Sequence, residues 1–142
     1  MTTTNTDFQQ FVKQRARIAL AYVNGDAGPL GDVVTRHEPA HFFGPNGGHA
    51  DGVEAVGRDY RDGAAHFEPG GDSQVEVLQA QDSGDLAYWA GLQHARVRVK
   101  GKPDPVPMDL RVTEVYRRED GGWRLVHRHA DMLAKRQEKP AG

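Results

Sequence analysis

The sequence contains no cysteine, which excludes disulfide bonds, thiolate metal sites and a thiol nucleophile. It also lacks an excess of basic residues, since 18 Lys and Arg face 20 Asp and Glu and the net charge is −2. A nucleic-acid partner is therefore not expected, because little positive charge is free to neutralise phosphates. No segment approaches the roughly twenty apolar residues of a membrane span, and the first residues do not resemble a signal peptide. We expect a cytoplasmic protein with no membrane partner.

The chain does contain a change of hydrophobic period near its middle. Helical spacing predicts three helices, one from a Thr6–Gln9 capping box to Val23, one over 29–34 and one from Val53 to about Gly63. A strand running into a glycine-rich turn is predicted over 42–48, and a Pro-Gly-Gly loop over 69–71. Alternation then predicts strands over 73–81, 86–100, 108–118 and 123–130.

This order of elements predicts an α+β fold. A curved antiparallel sheet would pack one face on the long N-terminal helix and the two shorter helices, and a pocket would open where the sheet curls. We expect a single domain over 1–142, with frayed ends.

The last two predicted strands flank a tight turn at Asp120, which is a strong hairpin signal. Glu114 is the one charged residue on an otherwise apolar face of the first strand, where a carboxylate is costly unless it is paired, hydrated or used. A two-residue turn places Glu114 opposite His127, and a turn one residue later places it opposite His129. A β-bulge would instead turn Arg128 inward and pair it with Glu114.

Glu114, with His127 and His129, is the candidate catalytic group. Burial raises the pKa of a carboxylate and a neighbouring imidazolium lowers it, so such a pair suits acid–base chemistry near neutral pH. The alternative is a structural Glu–His or Glu–Arg pair that closes the hairpin. The same three side chains could also hold a metal, but imidazoles and carboxylates are common neighbours without one. We expect no metal and no cofactor.

The segment from His37 to His41 matches the H-E-x-x-H string of zinc proteases. That string binds zinc only on a helix, where one turn brings both imidazoles to the metal. Pro39 interrupts helical hydrogen bonding in its middle, so no zinc protease is expected.

The longest predicted strand has two different faces. One carries Tyr88 and His94 among small and apolar residues, as a pocket wall does, and the other carries Trp89 and Val97. If the second face is the outer one, its apolar side chains indicate a homodimer interface, but one residue of register decides between the faces. The side chains expected to line the pocket are Tyr22, Phe42, Tyr88, His94, Tyr116 and Arg128.

Several segments resemble the nuclear transport factor 2-like superfamily: Asn24-Gly-Asp26, Phe43-Gly-Pro45, Thr113-x-Val-Tyr-Arg-Arg-x-Asp-Gly-x-Trp123 and Val126-His-x-His129. Within it, the chain most resembles the SnoaL-like and ketosteroid-isomerase-like bacterial members, and it is also similar to the association domain of calcium/calmodulin-dependent protein kinase II. The resemblance implies an α+β cone that is commonly dimeric. Members include isomerases, cyclases and epoxide hydrolases.

Departures from this resemblance argue against two activities. Gly44 stands where steroid isomerases carry an aspartate base, and Ile18 stands where they carry an oxyanion-binding tyrosine. Glu114 and Ala130 replace two arginines of the kinase association domain, so a carboxylate pocket of that type is not expected. The sequence predicts a domain that binds an unidentified small molecule, with isomerase, cyclase or hydrolase activity on a small apolar substrate left open. The alternative is a non-catalytic assembly domain.

Overall fold

The computed structural model describes residues 7–134. Three helices form where the sequence predicts them: α1 (Asp7–Val23), α2 (Gly28–Val33) and α3 (Val53–Ala64). The proposed capping residue Thr6 lies outside the described residues. None of the helices between residues 7 and 134 is long and apolar enough to cross a membrane.

Six strands form one open sheet in the order β2-β1-β6-β5-β4-β3. The strands are β1 (His41–Phe43), β2 (His49–Asp51), β3 (Phe67–Ser83), β4 (Leu86–Val99), β5 (Val106–Glu119) and β6 (Gly122–Met132). All neighbours are antiparallel except β1 and β6, which run parallel, so the predicted α+β class is confirmed with a mixed rather than purely antiparallel sheet. The strand predicted to run into a glycine-rich turn over 42–48 is confirmed as β1, and after the turn the chain returns antiparallel to it as β2, which was not predicted.

The Pro-Gly-Gly loop predicted at 69–71 is wrong, because this segment is an irregularity inside β3. The pairing of β3 with β4 shifts register between Glu68 and Asp72. The side chain of Asn24, just after α1, holds the segment in place. Its Oδ1 accepts hydrogen bonds from the backbone N–H groups of Gly70 at 2.8 Å and Gly71 at 3.0 Å. Backbone groups that the ladder leaves free are thus paired by one amide, and the strand continues.

The inner face of the sheet packs on α1 to form the core. Phe8 and Phe11 of α1 meet the ring of Tyr116 at centroid distances of 5.7 and 5.0 Å. Trp89 and Val97 of β4 also face inward, at 1% and 2% exposure, so the interpretation of this face as the outer, dimer-forming one is wrong. Large apolar side chains settle the register of β4, because the face that carries them is the one the helices can cover.

Candidate functional site

A β-bulge in β6 decides which side chains enter the interior. Leu125 pairs with Tyr116 and His127 pairs with Val115, which leaves Val126 as an extra residue. The hairpin itself uses the two-residue turn at 120–121, with positive φ at both positions as a tight hairpin turn requires. Beyond the bulge, Arg128 stands opposite Glu114.

The predicted Glu–His pair is therefore wrong, and the bulged alternative is the arrangement found. His127 and His129 stand opposite Val115 and Thr113, on the outer face of the sheet. The same separation removes the alternative in which Glu114 and both histidines share a metal. Among residues 7–134, no three His, Asp or Glu side chains are grouped so that they could hold a metal ion.

Glu114 is fully buried and accepts five hydrogen bonds. Arg15 donates from Nε to Oε1 at 3.0 Å and from Nη2 to Oε2 at 2.9 Å, a bidentate contact. Arg128 Nη1 donates to Oε2 at 2.6 Å, and Trp89 Nε1 donates to Oε1 at 2.8 Å. The hydroxyl of Tyr116 also donates to Oε1. These contacts occupy both carboxylate oxygens.

The charge state of Glu114 follows from these contacts. Burial alone would raise the pKa of Glu114, because it disfavours the ionised form, but the guanidiniums of Arg15 and Arg128 outweigh burial and lower this pKa to about 2. The carboxylate is therefore ionised at neutral pH and holds no proton to donate. A general base also needs a free lone pair that is directed at the substrate. The five hydrogen bonds that Glu114 accepts leave its carboxylate little room for this contact.

A cavity of about 750 Å³ lies beside this network, between α1, α3 and the inner face of the sheet. Three of the side chains predicted to line a pocket do line it: Tyr22, Phe42 and Arg128. Tyr116 instead lies in the core with no exposed surface. The rest of the wall is largely apolar and includes Ala19, Val23, Leu30, Phe67, Val99, Met108, Leu110 and Met132.

Tyr88 and His94 lie on the outer face of β4, so their predicted place in the pocket wall is wrong. Gln79 Nε2 donates to the Tyr88 hydroxyl at 2.6 Å, and His94 Nε2 lies 3.0 Å from a carboxylate oxygen of Glu76. Both predictions followed from the same one-residue choice of face, since alternate residues of a strand point to opposite sides.

Two buried polar atoms beside the cavity have no hydrogen-bond partner among the described residues: Nη1 of Arg15 and the hydroxyl of Tyr60. Both side chains line the cavity, and both are 4% exposed. Tyr60, on α3, stacks on Phe42 with ring centroids 4.7 Å apart and also borders a second cavity of about 460 Å³ between α2 and α3. Buried donors without partners are uncommon, and each costs roughly 1–3 kcal/mol.

The two phenols near the cavity stay protonated at neutral pH. Burial raises the pKa of Tyr60, although Arg128 and Arg15 act in the opposite direction. Burial likewise raises the pKa of Tyr22 to about 12, against the influence of the same two arginines. The two tyrosines and the two arginines thus lie close enough for the arginines to affect the pKa of both phenols. Both hydroxyls keep their proton and can donate a hydrogen bond.

Arg15 and Tyr60 are site residues that the sequence analysis missed. Arg15 continues the spacing of Phe8, Phe11 and Ile18 along the buried stripe of α1. A charged residue on an apolar helix stripe is the helical counterpart of Glu114 on its strand, so the signal was present. Leu20 of the same helix is 39% exposed and lies off this stripe.

The H-E-x-x-H string lies outside the helices, and its glutamate caps one. The carboxylate of Glu38 accepts a hydrogen bond from the backbone N–H of Val53 at 3.0 Å, at the start of α3. A negative group is favourable there, because the first N–H groups of a helix have no partner within it.

The outer face of the sheet carries a cluster of imidazoles around one phenylalanine. Phe43 packs edge-on against His127 at 5.0 Å and His129 at 5.6 Å between ring centroids, and His41 lies 5.8 Å from His127. Burial, and then the proximity of His41 and His129, lower the pKa of His127. This cluster belongs to the surface and not to the cavity.

Comparisons with known proteins agree with this architecture. Solved structures with similar folds include a candidate dehydratase of the NTF2-like family from Streptomyces avermitilis (21% identity, TM-score 0.71, covering 90% of this chain and 96% of that one). Another is a candidate calcium/calmodulin-dependent protein kinase type II association domain from Thiobacillus denitrificans (22%, 0.66, 85% and 92%). A third is an NTF2-like superfamily protein from Salmonella enterica (17%, 0.74, 89% and 91%).

These identities are low, so the structural likeness establishes the fold, which is the NTF2-like cone. No protein with a curated description matches the sequence significantly. The sequence model of the SnoaL-like domain matches residues 15–135, which is most of the chain and includes every element that borders the cavity except the first turns of α1. The chain therefore belongs to the SnoaL-like domain family.

Proposed function

We propose that this domain binds a small, largely apolar molecule inside its cone. The observation that carries the proposal is the 750 Å³ cavity, whose apolar wall ends at the unpartnered Nη1 of Arg15 and hydroxyl of Tyr60. Ligand sites in proteins commonly have this size and this composition, with few polar groups that fix orientation. A ligand oxygen at that end of the cavity would satisfy both donors.

In this proposal Glu114 is a positioning residue rather than a base. It fixes Arg15 through two hydrogen bonds and Arg128 through one, so that their remaining N–H groups keep a defined direction. Isomerase, cyclase or hydrolase chemistry would then have to use other titratable groups. The cavity is also bordered by Asp59, Asp62 and His66, all exposed at its rim.

Binding inside the cone can be tested with a neutral aromatic probe, naphthalene-2-carboxamide, by isothermal titration calorimetry at pH 7.5. Ala19 lines the cavity from α1, and Ala19→Phe would fill part of it. The control is Leu20→Phe, which enlarges an exposed neighbour on the same helix. We expect binding to the wild type and to the control, and at least tenfold weaker binding to Ala19→Phe. Equal binding to all three proteins would contradict the proposal.

A second copy of the chain is the partner that we propose for the outer face of the sheet. Two cross-strand rows there, termed the outer patch, contain no Lys, Arg, Asp or Glu: Tyr88, Val115, His127 and His41, and Ala90, Thr113, His129 and Phe43. Phe43 is 40% exposed. Charged neighbours such as Arg111 and Asp131 pair with each other, so the patch offers no net charge to an acidic or basic partner.

Light scattering at micromolar concentration tests this homodimer. The wild type should have about twice the 15.6 kDa chain mass, and Thr113→Arg, in the middle of the outer patch, should have the mass of one chain. The control variant Gln74→Arg lies on β3 away from the patch and should remain dimeric. A monomeric wild type would exclude the dimer and the assembly function with it.

A further inference from the structure

The charges around the cone's inner end do not balance. Arg15 and Arg128 each carry one positive charge, and Glu114 supplies one negative charge between them. All three side chains are buried, at 4%, 9% and 0% exposure. A buried charge without a counter-charge is strongly unfavourable, so this inner end carries one positive charge that the described residues leave uncompensated.

Other charged groups near the cavity do not cancel this excess. Asp59, Asp62 and Lys102 border the cavity, but all three are exposed. Water and salt screen charges at such positions far more than at buried ones. Apart from Glu114, the buried side chain that accepts a hydrogen bond from Arg128 is neutral: Oε1 of Gln93 accepts from Arg128 Nη2 at 3.3 Å.

The geometry points to a monocarboxylate as the head group of the ligand, an inference that rests on the proposed binding function and specifies its ligand. The carboxylate would lie at the inner end of the cone. One oxygen would accept from Nη1 of Arg15 and the other from the hydroxyl of Tyr60, the two cavity-lining donors that the described residues leave unpaired. Its single negative charge would balance the excess positive charge.

Charge also argues against a phosphate in the same place. A phosphate monoester carries close to two negative charges at neutral pH, which would leave one unbalanced negative charge in a buried site. A neutral amide or alcohol could accept the same two hydrogen bonds but would leave the positive charge unbalanced. A carboxylate meets both the hydrogen-bonding and the charge requirement.

The rest of the cavity fits an apolar body attached to that head group. Besides the arginines, the wall includes Leu30, Phe42, Met108 and Leu110. Burial of apolar area against such side chains contributes roughly 25 cal/mol per Å². The ligand class is therefore an aryl or alkyl monocarboxylic acid that enters with its carboxylate foremost.

A matched pair of probes tests the inference: naphthalene-2-carboxylate and naphthalene-2-carboxamide, which have nearly the same size and differ in charge. Both are titrated into the wild-type protein by calorimetry at pH 7.5. We expect the carboxylate to bind at least tenfold more tightly than the amide. Equal affinities would overturn the carboxylate inference and leave the proposed binding function intact. Binding of neither probe would overturn both.

A second test of the inference uses the variant Gln93→Glu, which keeps both arginines. It places a carboxylate next to Arg128 in the same volume, and the hydroxyl of Ser73, which now accepts from Gln93 Nε2 at 3.1 Å, can donate to it instead. We expect this variant to melt at a higher temperature than the wild type and to lose the tenfold preference for the carboxylate. The control is Gln74→Glu, on an exposed position of β3, which adds the same charge and should keep the preference.

The two readouts of Gln93→Glu separate the charge argument from a simple change of shape. A lower melting temperature together with an unchanged preference would show that the inner end carries no uncompensated charge, and the inference would fall. If the substitution instead unfolds the protein, Tyr60→Phe decides. It removes one proposed donor, and it should weaken carboxylate binding at least threefold. Carboxylate binding that Tyr60→Phe leaves unchanged would contradict the proposed head-group contact.

Discussion

Strands β5 and β6 carry two arginine–carboxylate pairs that look alike and differ in surroundings. Glu114 and Arg128 face each other on the inner side of the sheet, and Arg111 and Asp131 face each other on the outer side. Their shortest N–O distances are both 2.6 Å. The inner pair is buried, whereas the side chain of Arg111 is 63% exposed. The two pairs therefore have equal N–O distances, but the buried groups depend on their partners more than the exposed groups do.

Solvent explains this difference. If Asp131 loses its partner, water can hydrate both groups, and exposed ion pairs contribute little for that reason. The hydrogen bond from Arg111 nevertheless lowers the pKa of Asp131. If Glu114 is lost, two guanidiniums remain without a counter-charge in the interior. Removing one member of a buried ion pair therefore costs more stability than the intact pair contributes to the fold.

The largest expected effect follows from neutralising each carboxylate in turn. Glu114→Gln should reduce the free energy of unfolding by about 3 kcal/mol, because it leaves Arg15 and Arg128 buried and uncompensated. Asp131→Asn is the matched control on the outer face and should change stability little. Urea denaturation at pH 7.5 measures both. Similar losses for the two variants would contradict the comparison.

A smaller effect is expected when the arginines are removed. Arg128→Met should reduce the free energy of unfolding by about 2 kcal/mol, the size of a lost hydrogen bond to a charged group. The loss is smaller than for Glu114→Gln because Arg15 and Glu114 remain as a balanced pair. Arg111→Met serves as the outer control. If Arg128→Met destabilises the protein more than Glu114→Gln does, the inner end does not carry excess positive charge.

The smallest effect concerns the imidazoles of the outer face. Burial and two neighbouring histidines lower the pKa of His127 below its ordinary value of about 6.5. Below pH 6.5 the unfolded chain therefore binds a proton more readily than the folded one, and stability falls as pH decreases. His127→Gln should lose less stability between pH 7.5 and 5 than the wild type does. Identical losses in the two proteins would rule out this coupling.

The sequence predicts the elements of this fold better than its faces. The helices and the apolar face of β5 follow from periodicity, since Leu110, Val112 and Tyr116 do pack inward around Glu114. Register in β4 and β6 does not follow from periodicity, because alternation is the same whichever face is buried. The β6 bulge depends on long-range packing, so His127 and His129, which were predicted opposite Glu114, lie on the outer face of the sheet.

The candidate site was predictable in part for the same reason. Glu114 stands out as a charge on an apolar strand, and Arg128 follows once a bulge is allowed. Predicting Arg15 as a site residue required comparing α1 with β5, two elements distant in sequence that each carry one charged residue on a buried face. A carboxylate on a buried strand face and an arginine on a buried helix stripe together indicate that the two side chains pair. Periodicity within a single element does not contain this information.

The extra residue Val126 also bears on how this interior can evolve. If Val126 were paired in a regular ladder instead of bulging, the alternation of β6 would bring His127 inward beside Glu114 and send Arg128 out to the surface. The hairpin therefore carries two alternative interiors in one stretch of sequence, one cationic and one built on imidazole. Loss of the bulge, with Val126 taken into the regular ladder, would exchange them without any substitution in the cavity. Proteins with this hairpin could thus change the charge of the ligand that they bind by gaining or losing the bulge.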